Sequence, residues 1–184
     1  GGVSVATVVS RRTIAGYWEY LIDGAIFTAP PRTDHSGAAL IDKDGELVGI
    51  GSLLVMDAMT PGERLPGNMF VPIDLLKPIL AQLKADGRAA GPQRPWLGLA
   101  TEEMQGRLLV TRVSPESPAD QSGIRPGDVV VSVGAQGVKT HVELYETVWK
   151  LGAAGVEVPL KILRGVDERE VRVKSIDRFE YFKA

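Results

Sequence analysis

The sequence has no cysteine and only two histidines among its 184 residues. Without cysteine, the chain can form no disulfide, no thiol nucleophile and no thiolate metal site. The two histidines, His35 and His141, are far apart and lack carboxylates at the spacing of metal ligands. No glycine loop of the kind that binds phosphate precedes a helix with lysine. The sequence therefore predicts no metal and no other cofactor.

The sequence also lacks an excess of charge of one sign and a long apolar run. Its formal net charge is −2 at pH 7, which provides no basic surface for nucleic acid or anionic lipid. The apolar stretch over residues 47–56 is interrupted by glycine and is shorter than the roughly 18 apolar residues of a membrane span. We therefore expect no nucleic-acid partner and no membrane span.

The sequence starts with glycine instead of methionine, and no signal for export follows. We therefore expect the chain to be a shortened form of a longer protein. Hydrophobic residues make up 44% of it, which is enough for one large domain or two small ones.

Residues 1–73 are predicted to form strands. Valines alternate with smaller residues over residues 3–9, and aromatic and β-branched residues are concentrated over residues 17–27. The segment Asp42-Lys43-Asp44-Gly45 separates two short apolar runs. It predicts a hairpin turn in which Gly45 takes the required positive φ.

The hydrophobic period changes to that of a helix over residues 74–87. Asp74 is the predicted N-cap, and Gly87 is the predicted end. The polar stretch after the helix contains glycine and proline and has no apolar period. Residues 74–94 are therefore predicted to be a linking helix and a linker.

Short strands and two helices alternate over residues 95–184, which predicts a small α+β or partly open barrel domain. One helix is predicted over residues 118–122, ended by Gly123. A longer helix follows Thr140, its predicted N-cap. Gly98 stands between two large apolar residues at the start of the first strand.

This order of elements resembles the PDZ domain in the permuted form found in bacterial proteases. The resemblance covers residues 95–176 and is most specific over residues 117–133. Such a domain binds a peptide as an extra strand at a sheet edge, and backbone N–H groups converge on the terminal carboxylate. The resemblance therefore implies that the partners are peptides or unfolded proteins.

The resemblance also implies which residues form the peptide site. A loop whose glycine exposes the backbone N–H groups forms one side, and one face of the longer helix forms the other. These residues are Trp96, Leu97, Gly98, Leu99, His141, Tyr145 and Val148. Three of them have a simpler alternative: core packing for Trp96, an exposed helix start for His141 and a surface position for Tyr145.

A second motif lies in the first half of the sequence. Ser36 precedes glycine and small residues, a strand, a turn and a strand containing glycine. This pattern resembles the nucleophile region of trypsin-like serine proteases, and the whole chain resembles the HtrA family of secreted proteases. The resemblance implies peptide-bond hydrolysis with Ser36 as the nucleophile. It also implies a substrate pocket formed by Ile50, Gly51, Ser52, Phe70 and Val71.

Serine catalysis needs an imidazole base, a carboxylate that orients it and N–H donors for the oxyanion. The family supplies the histidine and aspartate upstream of the serine. Here the one histidine before Ser36 is its neighbour His35, whose ring cannot swing onto the hydroxyl. We therefore expect this chain alone to be inactive. Asp34 replaces the usual glycine of the oxyanion loop and brings a carboxylate close to developing negative charge.

Two interpretations remain open. The protein is either an HtrA-like serine endopeptidase of protein quality control or an inactive, protease-like adaptor that only binds peptides. In both, the predicted fold is mainly β with α: the second half of a trypsin-like β-barrel over residues 1–73, the linking helix, and a PDZ domain over residues 95–184. A half-barrel leaves apolar surface uncovered, so the chain is expected to form a homo-oligomer or to hold its first 70 residues loosely. The family resemblance implies an exported protein, periplasmic or extracellular.

Overall fold

The computed structural model describes residues 2–16, 19–89 and 91–183. These residues fall into two compact units: a first unit within Gly1–Ile14 and Ile22–Ala90, and a second unit within Ala15–Leu21 and Gly91–Ala184. The strands are β1 (Thr7–Gly16), β2 (Tyr20–Ala29), β3 (Ala39–Ile41), β4 (Leu47–Val55), β5 (Gly67–Pro72), β6 (Leu99–Met104), β7 (Arg107–Val113), β8 (Val129–Val133), β9 (Gln136–Gly137), β10 (Glu157–Arg164) and β11 (Asp167–Lys174). The helices are α1 (Leu80–Asp86), α2 (Pro118–Gln121), α3 (His141–Lys150) and α4 (Arg178–Tyr181).

The first unit contains a five-stranded sheet in the order β1-β2-β5-β4-β3. Its core is small and is formed by Ala25, Phe27, Ala58 and Met69. The Arg12 guanidinium covers the Phe27 ring at 3.6 Å and donates to the carbonyl of Ala58 at 2.8 Å. The Arg12 cation packs over the aromatic face and so covers a core that contains few aliphatic side chains.

The structure confirms the predicted hairpin turn between β3 and β4. Gly45 has a φ of 83°, and its N–H donates to the carbonyl of Asp42 at 3.2 Å. The Asp42 carboxylate also accepts from the N–H groups of Asp44 and Glu46, both at 2.9 Å. The aspartate therefore closes the turn with its side chain as well as its backbone.

Two predicted boundaries are wrong. Strand β1 begins at Thr7 and not at residue 3, since Val3 and Val5 are fully exposed and lie outside the sheet. Helix α1 begins at Leu80 and not at Asp74, whose carboxylate pairs with Lys77 instead of capping a helix. The cause is Pro78, because proline lacks an N–H and disfavours helical geometry in the residue before it.

The end of helix α1 is confirmed, because Gly87 takes a left-handed φ of 73° there. The predicted beginning of the second strand, at residues 17 and 18, lies outside the described residues. Residue 90 of the predicted linker and residue 1 also lie outside them.

The second unit contains an antiparallel sheet in the order β11-β10-β8-β7-β6, with β9 paired to β8. Its core includes Leu108, Val130, Leu144, Leu160 and Ile162, each at most 1% exposed. Strand β6 lies at one edge of the sheet and pairs with β7 alone among the described strands. Its outer edge is the place where an added strand would bind.

The helices of the second unit begin where the sequence predicts. Thr140 caps α3 in a reciprocal capping box with Glu143. Ser117 caps α2, whose first residue is Pro118, and Gly123 ends the segment with a φ of 77°. These local signals place α3 and α2 around the start of β6, where the candidate peptide site lies.

Candidate functional site

The loop Leu97-Gly98-Leu99 in the second unit has the geometry of an anion site. Gly98 has a φ of +81°, and a Cβ on it would lie 2.3 Å from the Cβ of Ser117, so only glycine fits. The carbonyls of Leu97 and Gly98 accept from Ala119 and Ser114, at 2.9 and 2.8 Å. These bonds fix the loop so that its consecutive N–H groups point to one place, as in the backbone nests that bind anions.

All three N–H groups of the loop donate to the carboxylate of Glu19. Oε1 accepts from Gly98 at 2.8 Å and from Leu99 at 3.2 Å. Oε2 accepts from Leu97 at 3.1 Å. Burial raises the pKa of the Glu19 carboxyl to about 7, although these N–H groups and the charge of Arg178 pull the pKa down.

Glu19 was not predicted as a site residue. It lies in the segment Ala15–Leu21, between β1 and β2, which belongs to the second unit. The loop that it contacts is 78 to 80 residues away in the sequence. A single acidic residue between aromatic residues carries no local signal for a partner at that distance.

Two of the three residues predicted for the helix side of the peptide site are core residues. Tyr145 and Val148 are each 3% exposed and belong to the core of the second unit. The Tyr145 hydroxyl donates to the carbonyl of Gly16 at 3.1 Å. Burial, and then the charge of Glu19, raise the pKa of Tyr145. The same segment of chain therefore contacts both the loop and the helix.

His141 is part-buried and is held against β6. Its Nε2 lies 2.8 Å from the carbonyl of Thr101, so this nitrogen carries the hydrogen. Its Nδ1 lies 3.1 Å from Oε1 of Glu103, which also accepts from the His141 backbone N–H at 2.7 Å. Both ring contacts are hydrogen bonds when the imidazole is protonated, since a carbonyl and a carboxylate only accept.

Trp96 lies under the last helix of the chain. It is 6% exposed, and its ring centroid is 4.7 Å from that of Tyr181 in α4. Its backbone N–H donates to the carbonyl of Ile176, and its carbonyl accepts from the N–H of Ile176. These contacts are those of a packing residue beside the loop.

The Ser36 turn of the first unit is fixed to strand β4. The N–H of Gly37 donates to the carbonyl of Gly51 at 2.9 Å, and the N–H of Gly51 donates to that of Ala38 at 2.7 Å. A Cβ on Gly51 would lie 1.9 Å from the carbonyl oxygen of His35. Ser36 itself is exposed on this turn.

The residues just before Ser36 form hydrogen bonds with one another. The Nδ1–H of His35 donates to the carbonyl of Arg32 at 2.9 Å. The Arg32 guanidinium donates to both carboxylate oxygens of Asp34, at 2.7 and 2.5 Å. Its hydrogen bond and charge lower the pKa of the Asp34 carboxyl. Arg32 therefore compensates the negative charge that Asp34 brings to the Ser36 turn.

The predicted pocket residues come together on two paired strands. Ile50 is opposite Val71 in the register of β4 and β5, and Gly51 is opposite Phe70. Phe70 is 7% exposed, and the neighbouring Ser52 is part-buried. These strands and the Ser36 turn meet at Gly51.

The described residues contain neither a metal-binding cluster nor a membrane-spanning helix. No group of three or more His, Asp or Glu side chains within residues 2–16, 19–89 and 91–183 is arranged to hold a metal ion. No helix in the same part of the chain is long and apolar enough to cross a membrane.

The second unit matches a known family of domains. Residues 95–175 match the family model of the PDZ domain. The chain is 31% identical over 152 residues to a probable periplasmic serine endoprotease, DegP-like, of Hahella chejuensis, an alignment that covers 76% of this chain and 31% of that protein. It is 37% identical over 106 residues to the serine endoprotease DegS of Haemophilus influenzae, covering 55% of this chain and 30% of that one.

Solved structures show the same fold. The serine endoprotease from Yersinia pestis has a TM-score of 0.52 and 26% identity, covering 84% of this chain and 52% of that chain. The HtrA-type protease AlgW with a decapeptide has a TM-score of 0.55 and 20% identity, covering 85% and 50%.

The chain is a PDZ-containing protein of mainly β structure. Over most of its length it is similar to serine endoproteases of the HtrA and DegP type. The predicted fold class is thus confirmed. The chain spans about a third of the length of the curated relatives that it matches, 31% of the first.

Proposed function

We propose that the second unit captures peptides by their terminal carboxylate, as part of an HtrA-like serine endopeptidase. The observation that carries this proposal is the loop of Leu97, Gly98 and Leu99, whose three N–H groups already hold a carboxylate. The outer edge of β6 starts at this loop, so a peptide bound there can continue as an added strand. The Hahella chejuensis relative is named as a probable periplasmic protein, which supports an exported protein that meets unfolded chains.

For the first unit we propose Ser36 as the nucleophile position of the complete protein. Its exposed turn and the pocket strands support this assignment. A second function, peptide binding without catalysis, is favoured by one observation. His35, the histidine nearest in sequence, uses its Nδ1–H for the carbonyl of Arg32, and Arg32 also holds the Asp34 carboxylate.

A fluorophosphonate probe tests whether Ser36 is an activated nucleophile in this chain. The probe is applied to the full chain and to a Ser36→Ala variant, and intact mass and peptide mapping follow. Labelling at Ser36 that S36A loses supports an activated serine and the endopeptidase. Labelling of neither chain is the result that both functions predict for this chain alone, because His35 cannot serve as the base.

Peptide capture is tested separately. An array of decapeptides, each made with a free and an amidated C-terminus, is exposed to the full chain. We expect retention on free-acid spots and loss on their amides. Equal retention on both forms contradicts capture through the carboxylate.

A further inference from the structure

We propose that Glu19 is an internal ligand of the carboxylate loop, so that a peptide binds the second unit by displacing it. This inference rests on the proposed function, because it takes the Leu97–Leu99 loop as the peptide site. It goes beyond that function because it names Glu19 as the group that occupies the loop when no peptide is bound.

The first argument is the match between the Glu19 side chain and a peptide terminus. A carboxylate at the end of a peptide presents two oxygens to converging N–H groups. The Glu19 carboxylate does the same, with two N–H groups on Oε1 and one on Oε2. A ligand carboxylate and Glu19 therefore require the same three donors and cannot bind together.

The second argument is that the chain around Glu19 fills the site on both sides. Ala15 packs against the core of the second unit. The carbonyl of Gly16 accepts from Tyr145 in α3, at 3.1 Å, and Glu19 binds the loop. An extended peptide between β6 and α3 meets these same two walls.

The third argument is the backbone conformation of Glu19. Its φ is 57°. This value lies in the left-handed region, which residues other than glycine, asparagine and aspartate rarely adopt. The Glu19 N–H donates to the carbonyl of Gly16 at 3.2 Å. Such an unfavourable conformation persists where surrounding contacts maintain it, and the contacts here are those of the carboxylate.

The outer edge of β6 also forms a hydrogen bond within the chain. The His141 ring bonds to the carbonyl of Thr101 at 2.8 Å, so a peptide strand that uses this carbonyl displaces the ring. Binding of a peptide thus replaces hydrogen bonds within the chain by hydrogen bonds to the peptide, both at the Leu97–Leu99 loop and at the carbonyl of Thr101. The apparent affinity of a peptide is lowered by the fraction of molecules in which the internal contacts hold.

The test compares Glu19→Ala with Glu116→Ala. Glu116 is a matched control: it is also a glutamate of the second unit, is exposed and has a φ of 58°. Both variants of the full chain are titrated with sodium propionate, a carboxylate without a peptide sequence. The backbone amide resonances of the three loop residues are followed by NMR.

We expect E19A to move the amide resonances of Leu97, Gly98 and Leu99 upfield and to speed their hydrogen exchange. Propionate should then restore them, with an affinity about tenfold or more above that of the wild type, as expected if Glu19 occupies the loop about nine-tenths of the time. Glu19→Asp, which keeps the charge but shortens the reach, should behave like E19A. E116A should behave like the wild type.

Unchanged loop amides in both E19A and E19D overturn the proposal, and so does equal propionate affinity in the wild type and E19A. Loop amides that respond to propionate in E19A while no decapeptide binds would uphold the internal ligand and reject peptide capture. The two proposals therefore fail separately.

Discussion

The backbone N–H of Gly98 lies 2.8 Å from Oε1 of Glu19, a residue 79 positions earlier in the sequence. This bond joins the loop before β6 to the segment between β1 and β2 within one compact unit. It also defines the chemistry of the site, because the loop holds a carboxylate in a part-buried place.

The first prediction concerns the protonation of Glu19. Burial raises its pKa from 4.5 to about 7, so the bound carboxyl holds its proton more tightly than a free one. Because burial disfavours the charged form, the contribution of Glu19 to stability is fully present below pH 4.5 and is lost as pH rises through about 7. The titratable groups that face it are the charged Arg178 and the neutral Tyr145. A titration of the Glu19 Cδ resonance should show a midpoint near pH 7, and a midpoint below 5 would contradict this account.

The second prediction concerns Gly98→Ala. An added Cβ meets Ser117 at 2.3 Å while the backbone has a φ of +81°. We expect a loss of about 2–5 kcal/mol in the free energy of unfolding, because strain and overlap act together. Gly106→Ala is the matched control, with a φ of +71° and nothing within 4 Å of the added atom. It should lose only about 1–2 kcal/mol. Equal losses in chemical denaturation would show that the Ser117 contact is unimportant.

The third prediction concerns Asp128, which is 1% exposed. Its carboxylate accepts from Arg164 at 2.7 and 2.8 Å and from the N–H of Arg125 at 2.9 Å. Burial raises its pKa, but the bonds and charge of these partners outweigh burial and lower it. The stability that this group contributes is therefore lost as pH falls through the depressed pKa.

Asp128→Asn should cost about 1–3 kcal/mol, since at least one buried donor loses its acceptor. The control is Glu168→Gln, which removes the charge from an exposed pair with Lys161 and should change stability by less than about 1 kcal/mol. The result is measured as urea midpoints at pH 7. A D128N protein as stable as E168Q would refute the role of the pair.

The fourth prediction concerns Thr101, whose buried hydroxyl has no hydrogen-bond partner among the described residues. Thr101→Val replaces this hydroxyl with a methyl group of similar shape. We expect stability to be unchanged or up to about 1 kcal/mol higher, because an unsatisfied polar group is removed. Thr111→Val is the control, as the Thr111 hydroxyl donates to the carbonyl of Ala100 at 3.3 Å. A clear loss of thermal stability in T101V alone would reveal a partner for its hydroxyl.

Local signals in the sequence predicted the parts of the fold that depend on neighbouring residues. Gly45, Gly87 and Thr140 each act where predicted, as a turn, a helix end and a helix cap. The start of α1 could not be placed by Asp74 alone, because Pro78 overrides a capping residue four positions earlier. Local rules succeed when no stronger neighbour competes.

The candidate site was predicted less completely than the fold. The resemblance supplied the loop around Gly98, since glycine there is a local requirement. It did not supply Glu19, whose role depends on the packing of residues far apart in sequence. It also left open whether His141 is an exposed residue. Its bonds to Thr101 and Glu103 depend on where α3 packs against β6.

The amide resonance of Gly98 gives the most direct test of carboxylate capture. The E19A chain is titrated with one decapeptide in its free-acid form and then in its amidated form. The account predicts that the free acid shifts the Gly98 amide downfield and that the amide form does not. A Gly98 resonance that responds equally to both forms, or to neither, would contradict the claim that this loop binds the terminal carboxylate.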